Sequence, residues 1–320
     1  MRNWVFTLVV VAVSGGLPGP AASEVWKPGR DLEGLWTNAS LTTLERPPAF
    51  KALVVPDLEA EAFESAHSGR PNLPFADDVG QGDVEWWEMG SGLARIDGQA
   101  RSSWIVEPEN GRLPLNEAGL NRVRDRQAGV LRDYDGPEAR PSPERCLTAT
   151  SGVAAPPMLN TSYNNHLQIV QTRDHVVLVA EMNHDARIIA LKGEGAPVGL
   201  SWYGHPTARW EGRTLVVEST GFRPETSWRF PSRLYISPAA RVTEEFTRIS
   251  AEEIRYAFTV DDPTTYTRPW RGEVQLRRTK GPMFEFACHE GNYSIAGALA
   301  GARQAERDAA TVRTAAPIGR

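Results

Sequence analysis

Residues 241–279, RVTEEFTRISAEEIRYAFTVDDPTTYTRPWRGEVQLRRT, decide the fold class because their side chains alternate with a period of two. Three predicted strands occupy 241–249, 253–260 and 271–279, and a short reversal, Ser250-Ala251-Glu252, joins the first two. Alternation over runs of this length is typical of half-buried strands. The stretch therefore predicts consecutive antiparallel strands.

The same period extends upstream as far as His166. Further strand-like runs lie upstream at 166–172, 176–182, 186–191, 207–210 and 214–219, and one lies downstream at 283–288. They recur about every ten residues with no long helix between them, which favours a mainly β protein. We expect an antiparallel meander that forms a lipocalin-like barrel or a curved sandwich. A few peripheral helices are predicted at 58–66, 116–131 and 293–307.

The N-terminus carries a different signal. Arg2 precedes an apolar run at 4–13, WVFTLVVVAV, and Ala21-Ala22-Ser23 fits a small-x-small cleavage pattern. The run is too short for a spanning helix of about 20 residues and is typical of a secretory signal peptide. The sequence therefore predicts cleavage near Ser23, no membrane span, and a periplasmic or secreted protein.

We expect the chain to divide into four regions around a single core. A Pro- and Asp-rich connector at 133–143 precedes the change of period. The predicted regions are the signal peptide at 1–23, an irregular N-terminal part at 24–144 packed on the barrel, the barrel with its C-terminal helix at 145–310, and a loose tail at 311–320. The N-terminal part includes a polar loop that contains Trp86-Trp87.

Composition excludes several classes of protein. The chain has 320 residues, 41% of them hydrophobic, and a formal net charge of −5. These values exclude a disordered or fibrous chain. The absence of a basic run gives no electrostatic footprint for nucleic acid or an anionic membrane. The expected partner is a small-molecule ligand or substrate.

Two cysteines, Cys146 and Cys288, complete the sequence. In an exported protein a disulfide between them is the leading interpretation. A catalytic thiol is the alternative, since His289 and Glu290 follow Cys288 directly.

Ionisable residues concentrate where predicted strands end. The first group is EMNHDAR at 181–187, and the second is CHEGNY at 288–293. Histidine beside a carboxylate is suited to general acid–base catalysis. We expect His184 and His289 to transfer protons, with Glu181, Asp185 and Glu290 orienting them. The alternatives are an Asp-Arg pair with a hairpin-stabilising histidine, and a helix cap at Asn292.

A third group, YNNHLQ at 163–168, clusters amide and imidazole groups at a strand start. It is suited to orienting a polar ligand group, although a capped strand entry is the simpler alternative. The expected substrate contacts are Asn164, Asn165, Arg187, Arg209, Trp270 and Tyr293. Trp270 also has a structural interpretation, as a side chain that closes the core.

The motifs of several enzyme classes are absent from the sequence. It contains no Gly-x-Ser-x-Gly, Walker loop, dinucleotide fingerprint, His-Glu-x-x-His or Cys-x-x-Cys. The six histidines include no close pair at ligand spacing, so neither a metal nor a cofactor is expected. Asp261-Asp262 indicates a turn, with a Ca²⁺ site as the alternative.

Several of these stretches also carry a resemblance to a known family. They are 163–165 (YNN), 181–189 (EMNHDARII), 209–212 (RWEG), 258–265 (FTVDDPTT) and 287–293 (ACHEGNY). Across about residues 145–305 the chain resembles a family of uncharacterised exported bacterial proteins. The resemblance implies an exported β-rich protein and no particular activity. Gly34-Leu35-Trp36 looks like the first strand of a lipocalin, by fold analogy alone.

Three functions follow as hypotheses. The first is metal-free acid–base chemistry, of lyase or isomerase type, on a small molecule that is partly aromatic or apolar. The second is lipocalin-like binding without turnover. The third is a structural module of the cell envelope.

Overall fold

The protein is described from a computed structural model. The described residues are 30–67, 88, 90–129, 134–140, 144–148, 154–191, 199–224, 228–229 and 233–315. The predicted signal peptide and the Trp86-Trp87 loop lie outside these ranges.

The described chain is mainly β. Its strands are β1 Gly34–Thr37, β2 Val54–Val55, β3 Arg95–Ile96, β4 Gln99–Arg101, β5 Ile105–Glu107, β6 His166–Gln171, β7 His175–Ala180, β8 Ala186–Ala190, β9 His205–Glu211, β10 Thr214–Thr220, β11 Trp228–Arg229, β12 Leu234–Tyr235, β13 Arg241–Arg248, β14 Glu253–Asp261 and β15 Trp270–Arg278. The helices are α1 Asp57–His67, α2 Glu117–Gly129 and α3 Ser294–Ala315, and α3 continues beyond the predicted end near residue 307. Short 3₁₀ turns occupy Pro137–Ala139 and Met182–His184.

Nine strands close into a barrel, which confirms the predicted fold class. Their order is β1-β6-β7-β8-β9-β10-β13-β14-β15, and β1 pairs with β15 to close the ring. At the closure Trp36 lies opposite Leu167 on one side and Arg278 on the other. Closure leaves the barrel without a long free edge.

One pair of neighbouring barrel strands is parallel. An odd number of strands cannot alternate in direction all the way round a ring, and the exception is β8 with β9, paired at Ala190 and Thr207. The predicted strand at 283–288 was wrong, because that segment has no strand pairing. On the side away from β14, strand β15 already pairs with β1 near Arg278 and with β5 near Arg271, so this edge has no place for a further strand.

Large side chains fill the barrel interior. Alternate residues of each strand point inward, as the period of two requires. Trp36, Phe246, Tyr256, Phe258 and Trp270 are all buried in one core cluster. The segment at 154–159 adds Ala154, Met158 and Leu159 to the same cluster. The interior is thus a packed core over the described residues.

A smaller core lies outside the barrel. Helix α1 and the three-stranded sheet β2-β4-β3 enclose Phe50, Val55, Ala60, Leu93 and Ala100. No helix within the described ranges is both long enough and apolar enough to cross a bilayer.

The predicted disulfide between Cys146 and Cys288 is confirmed. The two Cα atoms lie 5.7 Å apart, and the residues are separated by 142 positions. Closing so long a loop lowers the entropy of the unfolded chain and stabilises the fold by at most about 5 kcal/mol. The bond also ties the segment after β15 to residues 144–148.

Candidate functional site

The turn between β7 and β8 supplies residues to two polar clusters. Met182–His184 forms a single 3₁₀ turn, in which Asn183 (φ 65°) and His184 (φ 50°) adopt left-handed backbone conformations. Glu181, before the turn, belongs to the outer cluster, which we define as Glu88, His166 and Glu181. Arg187, after the turn, belongs to the inner cluster, which we define as Arg187, Glu244 and Tyr256.

The register of the strands explains the position of the outer cluster. Thr37 lies opposite His166, and the Glu181 amide donates to the His166 carbonyl oxygen at 3.0 Å. Their neighbours Leu167 and Ala180 point into the core, so His166 and Glu181 lie on the outer face of the barrel. The outer cluster is therefore built on adjacent strands at one end of the barrel.

The three side chains converge on one point. His166 Nδ1 lies 3.0 Å from Glu181 Oε2 and 3.4 Å from Glu88 Oε2. The Glu181 side chain is 1% exposed, whereas that of Glu88 is 33% exposed. The barrel therefore covers the cluster on one side, and solvent reaches the cluster at Glu88.

In both carboxylates Oε2 faces His166, and the other oxygen, Oε1, accepts a hydrogen bond that holds the group in place. Thr37 Oγ1 donates to Glu88 Oε1 at 3.2 Å, and the Phe284 amide donates to Glu181 Oε1 at 2.7 Å. The Asn165 side-chain amide donates to the Glu88 carbonyl oxygen at 2.7 Å. These bonds leave both Oε2 atoms directed at His166.

Burial and charge shift the pKa of all three groups. Burial raises the pKa of Glu88, and the nearby Glu181 carboxylate adds to the rise. The hydrogen bond to Glu181 raises the pKa of His166. Burial opposes ionisation of Glu181, but hydrogen bonds from His166 and the Phe284 amide outweigh it and lower that pKa. Such grouped shifts are a mark of functional sites.

The inner cluster lies inside the barrel. Arg187 lies two residues before the core residue Ile189, and Glu244 lies two residues from both Val242 and Phe246. Residues two apart on a strand share a face, so both side chains point inward. Arg187 Nη1 donates to Glu244 Oε1 at 2.9 Å, and Nη2 donates to Glu244 Oε2. This two-bond geometry is the strong form of an ion pair.

Tyr256 links the ion pair to the segment at 154–159. Its hydroxyl donates to Glu244 Oε1 and accepts from the Met158 amide, both at 2.9 Å. Burial, with the adjacent Glu244 carboxylate, raises the pKa of Tyr256 well above its ordinary value. Arg187 Nε is buried and has no hydrogen-bond partner within the described ranges.

A second pair lies where the inner cluster approaches the end of the barrel. The Tyr203 hydroxyl donates to Asp185 Oδ2, and both residues are half-buried. Tyr203 packs against the main core cluster and contributes to the raised pKa of Arg187, where burial is outweighed chiefly by Glu244. A hydroxyl, a carboxylate and a guanidinium thus occupy one region.

The structure places the predicted catalytic residues in three different settings. Asp185 contacts Tyr203, and Glu181 contacts His166. His184, His289 and Glu290 are exposed, and their side chains belong to neither cluster. Within the described residues, neither histidine side chain forms a hydrogen bond or an ion pair with the carboxylates that were expected to orient them.

The predicted substrate contacts are also dispersed. Asn165 is buried and holds Glu88, while Asn164 is half-buried. Trp270 is buried in the core, and Tyr293 is 81% exposed. Exposed Arg209 pairs with Glu211 at 2.7 Å. Of this set, only Arg187 and Asn165 touch the two clusters.

Asp262 has the structural role that its turn pattern indicates. Its carboxylate accepts hydrogen bonds from the Ser237 amide and hydroxyl and from the Thr264 hydroxyl. These donors order the loop before β15.

Sequence reasoning missed Glu88, Tyr203, Glu244 and Tyr256 as site residues, and it treated His166 only as part of a polar strand entry. One signal existed for Glu244, because a carboxylate at an inward position of an apolar strand needs a buried partner. Glu88 lies in a segment without periodicity, and nothing in its neighbourhood relates it to His166.

Comparison of the chain with protein-family models, curated protein sequences and solved structures found no match. The geometry of the site is therefore the basis for the function proposed below.

Proposed function

We propose that the protein catalyses metal-free proton transfer on a small, partly aromatic molecule at the Asp185-Tyr203 pair. The observation that carries the proposal is the hydrogen bond from the Tyr203 hydroxyl to Asp185 beside the buried Arg187. An acid and a base in contact at the margin of an apolar core are what elimination or isomerisation requires.

The roles follow from the chemistry of the groups. The Asp185 carboxylate takes a proton from carbon, and the neutral Tyr203 hydroxyl turns to the substrate oxygen that gains negative charge. Arg187 is a fixed positive charge behind the pair, and Glu244 holds its orientation. Preorganised charge of this kind stabilises a developing anion.

The experiment uses 5-nitrobenzisoxazole, a small aromatic probe of proton abstraction. Base removal of its ring C–H proton breaks the N–O bond and releases a coloured phenolate, so that turnover is followed by absorbance. We expect Asp185→Asn to lower kcat/KM by at least about a hundredfold. Tyr203→Phe should give a smaller loss, mainly in kcat.

Glu211→Gln is the matched control, because Glu211 is an exposed carboxylate on the neighbouring strand β9. The assay contains EDTA, and circular dichroism verifies the fold of each variant. Equal turnover by the Asp185→Asn variant and the native protein would contradict the proposal.

Lipocalin-like binding is the second candidate, favoured by the closed barrel. Because side chains fill the interior, such a ligand would bind at the barrel end. Stoichiometric recovery of an unchanged aromatic ligand, with no turnover of the probe, would favour binding over catalysis.

We also propose that the protein is exported from the cytoplasm. The signal-peptide pattern at 1–23, the family resemblance and the disulfide support a periplasmic or secreted location, since disulfides persist in oxidising compartments. Amino-terminal sequencing of the protein recovered from its native host should begin at Glu24.

A further inference from the structure

The outer cluster includes Glu181, which precedes the Met182–His184 turn, whereas the proposed reaction site includes Asp185, which follows it. The outer cluster has different chemistry. Glu88, His166 and Glu181 each offer one ligand atom, and these atoms all lie within 4.8 Å of one another. Imidazole nitrogen and carboxylate oxygen are ordinary ligands of divalent transition metals.

The distances fit a common ion. Ligand atoms about 2.0 to 2.1 Å from a metal in tetrahedral geometry lie about 3.3 Å from one another. His166 Nδ1 lies 3.0 Å from Glu181 Oε2 and 3.4 Å from Glu88 Oε2. The third separation, between the two carboxylate ligand atoms, is at most 4.8 Å, so binding an ion would draw the carboxylates towards each other around His166 Nδ1.

The supports of the cluster also match a metal site. Glu88 and Glu181 are each anchored through Oε1, by Thr37 and by the Phe284 amide, so that Oε2 faces His166. The His166 backbone amide also donates to Glu181 Oε2, at 3.4 Å, and orients this oxygen further. Outer hydrogen bonds that orient carboxylate ligands in this way are typical of metal centres.

The charge of the cluster is the second, independent observation. Two carboxylates share one imidazole, and neither forms an ion pair with Lys or Arg anywhere in the described part of the chain. The Glu181 side chain is only 1% exposed, and buried negative charge is costly unless it is paired or coordinates a metal. We infer that the outer cluster binds one divalent transition-metal ion, such as Zn²⁺, through Glu88 Oε2, His166 Nδ1 and Glu181 Oε2.

The ion takes the place of the Nδ1 proton, which leaves to solvent, and a fourth position is open to water. Because Glu88 is far from the other two ligands in sequence, the ion would join Glu88 to the adjacent ends of strands β6 and β7. The inference goes beyond the proposed function, whose reacting groups need no metal.

Equilibrium dialysis of the full chain against ZnCl₂, after EDTA treatment, tests the site. We expect one Zn²⁺ per chain, and binding weakened by at least about tenfold in His166→Gln and in Glu88→Gln. His175→Gln, at the opposite end of β7 from Glu181, should bind as the native protein does. Co²⁺ provides a second readout, since its visible absorption reports tetrahedral nitrogen and oxygen ligands.

Two results would overturn the inference: no Zn²⁺ retained by the native chain, or unchanged affinity in both His166→Gln and Glu88→Gln. Because dialysis measures no turnover, failure here leaves the Asp185 assay unaffected, and the converse also holds. Circular dichroism of each variant separates a lost ligand from a lost fold.

Discussion

The inner and outer clusters each take one residue from the two sides of one turn, Arg187 and Glu181, yet they differ in their contact with solvent. In the inner cluster the side chains of Arg187 and Glu244 are 2% and 0% exposed. In the outer cluster Glu88 retains 33% exposure beside the buried Glu181. The difference teaches that the two flanks of one turn can have opposite contact with solvent: the inner ion pair is sealed in the core, whereas the outer group meets solvent at Glu88.

The largest expected effect is in the inner cluster. Glu244→Gln leaves the Arg187 guanidinium buried without a counter-ion, which should lower the free energy of unfolding by about 3 to 5 kcal/mol. Urea unfolding followed by circular dichroism measures the loss. The double variant R187M/E244L should recover most of it, because an apolar pair avoids the desolvation of charge. A loss no larger than that of Glu88→Gln would remove the distinction between the clusters.

The disulfide gives the next largest effect, and it should act on the outer cluster more than on the inner one. The Cys146→Ser, Cys288→Ser double variant should lose about 2 to 5 kcal/mol of stability. The freed segment includes Phe284, whose amide holds Glu181. Hydrogen exchange should accelerate at 281–293 and at Glu181 while the amides of β13 and β14 stay protected. Uniform acceleration would show that the bond stabilises both regions alike.

A smaller effect is expected from His166→Gln at neutral pH without added metal. Water solvates the partly exposed Glu88 carboxylate, and Glu181 keeps its hydrogen bonds from the backbone amides of Phe284 and position 166, so the loss should be no more than about 2 kcal/mol. Thermal unfolding in EDTA measures it, with His175→Gln as the control. A loss equal to that of Glu244→Gln would place the outer cluster among the rigid elements of the core.

The smallest effect at neutral pH concerns the inner tyrosine. Burial raises the pKa of Tyr256 well above its ordinary value of 10, and burial acts on Tyr266 in the same direction. The two phenols therefore lose their protons at a lower pH in the unfolded chain than in the folded chain. Their contribution to the free energy of unfolding is fully present below pH 10 and falls as the pH rises further. Absorbance at 295 nm after a rapid jump to alkaline pH should show both phenols ionising only with unfolding. Immediate ionisation of all seven tyrosines would contradict a sealed interior.

The period of two was enough to predict a mainly β fold, as a barrel or a curved sandwich, because each inward face of β13, β14 and β15 has to be covered; closure by β1 and β15 decides for the barrel. The disulfide followed from two cysteines and a predicted signal peptide. The parallel contact of β8 with β9 could not be predicted, since strand direction depends on how the ring closes and not on local pattern.

The candidate site was predicted only in part for a similar reason. Asp185, Arg187 and Glu181 stood out because charged residues crowd one strand end. Their partners Tyr203, Glu244 and Glu88 come from distant positions, and each has an ordinary local setting. His184 and His289 drew attention as histidines beside carboxylates, but each lies in a turn, His184 with a left-handed backbone, and both side chains are exposed to solvent.

The closure of the barrel by its first and last strands has a consequence for biosynthesis. Trp36 on β1 meets Arg278 on β15, a contact between residues about 240 positions apart. Such distant pairing is slow to form, because the entropy of a long loop is lost before the contact rewards it. A ribosome must finish β15 before the ring can close, so the barrel of the nascent chain stays open throughout most of its synthesis.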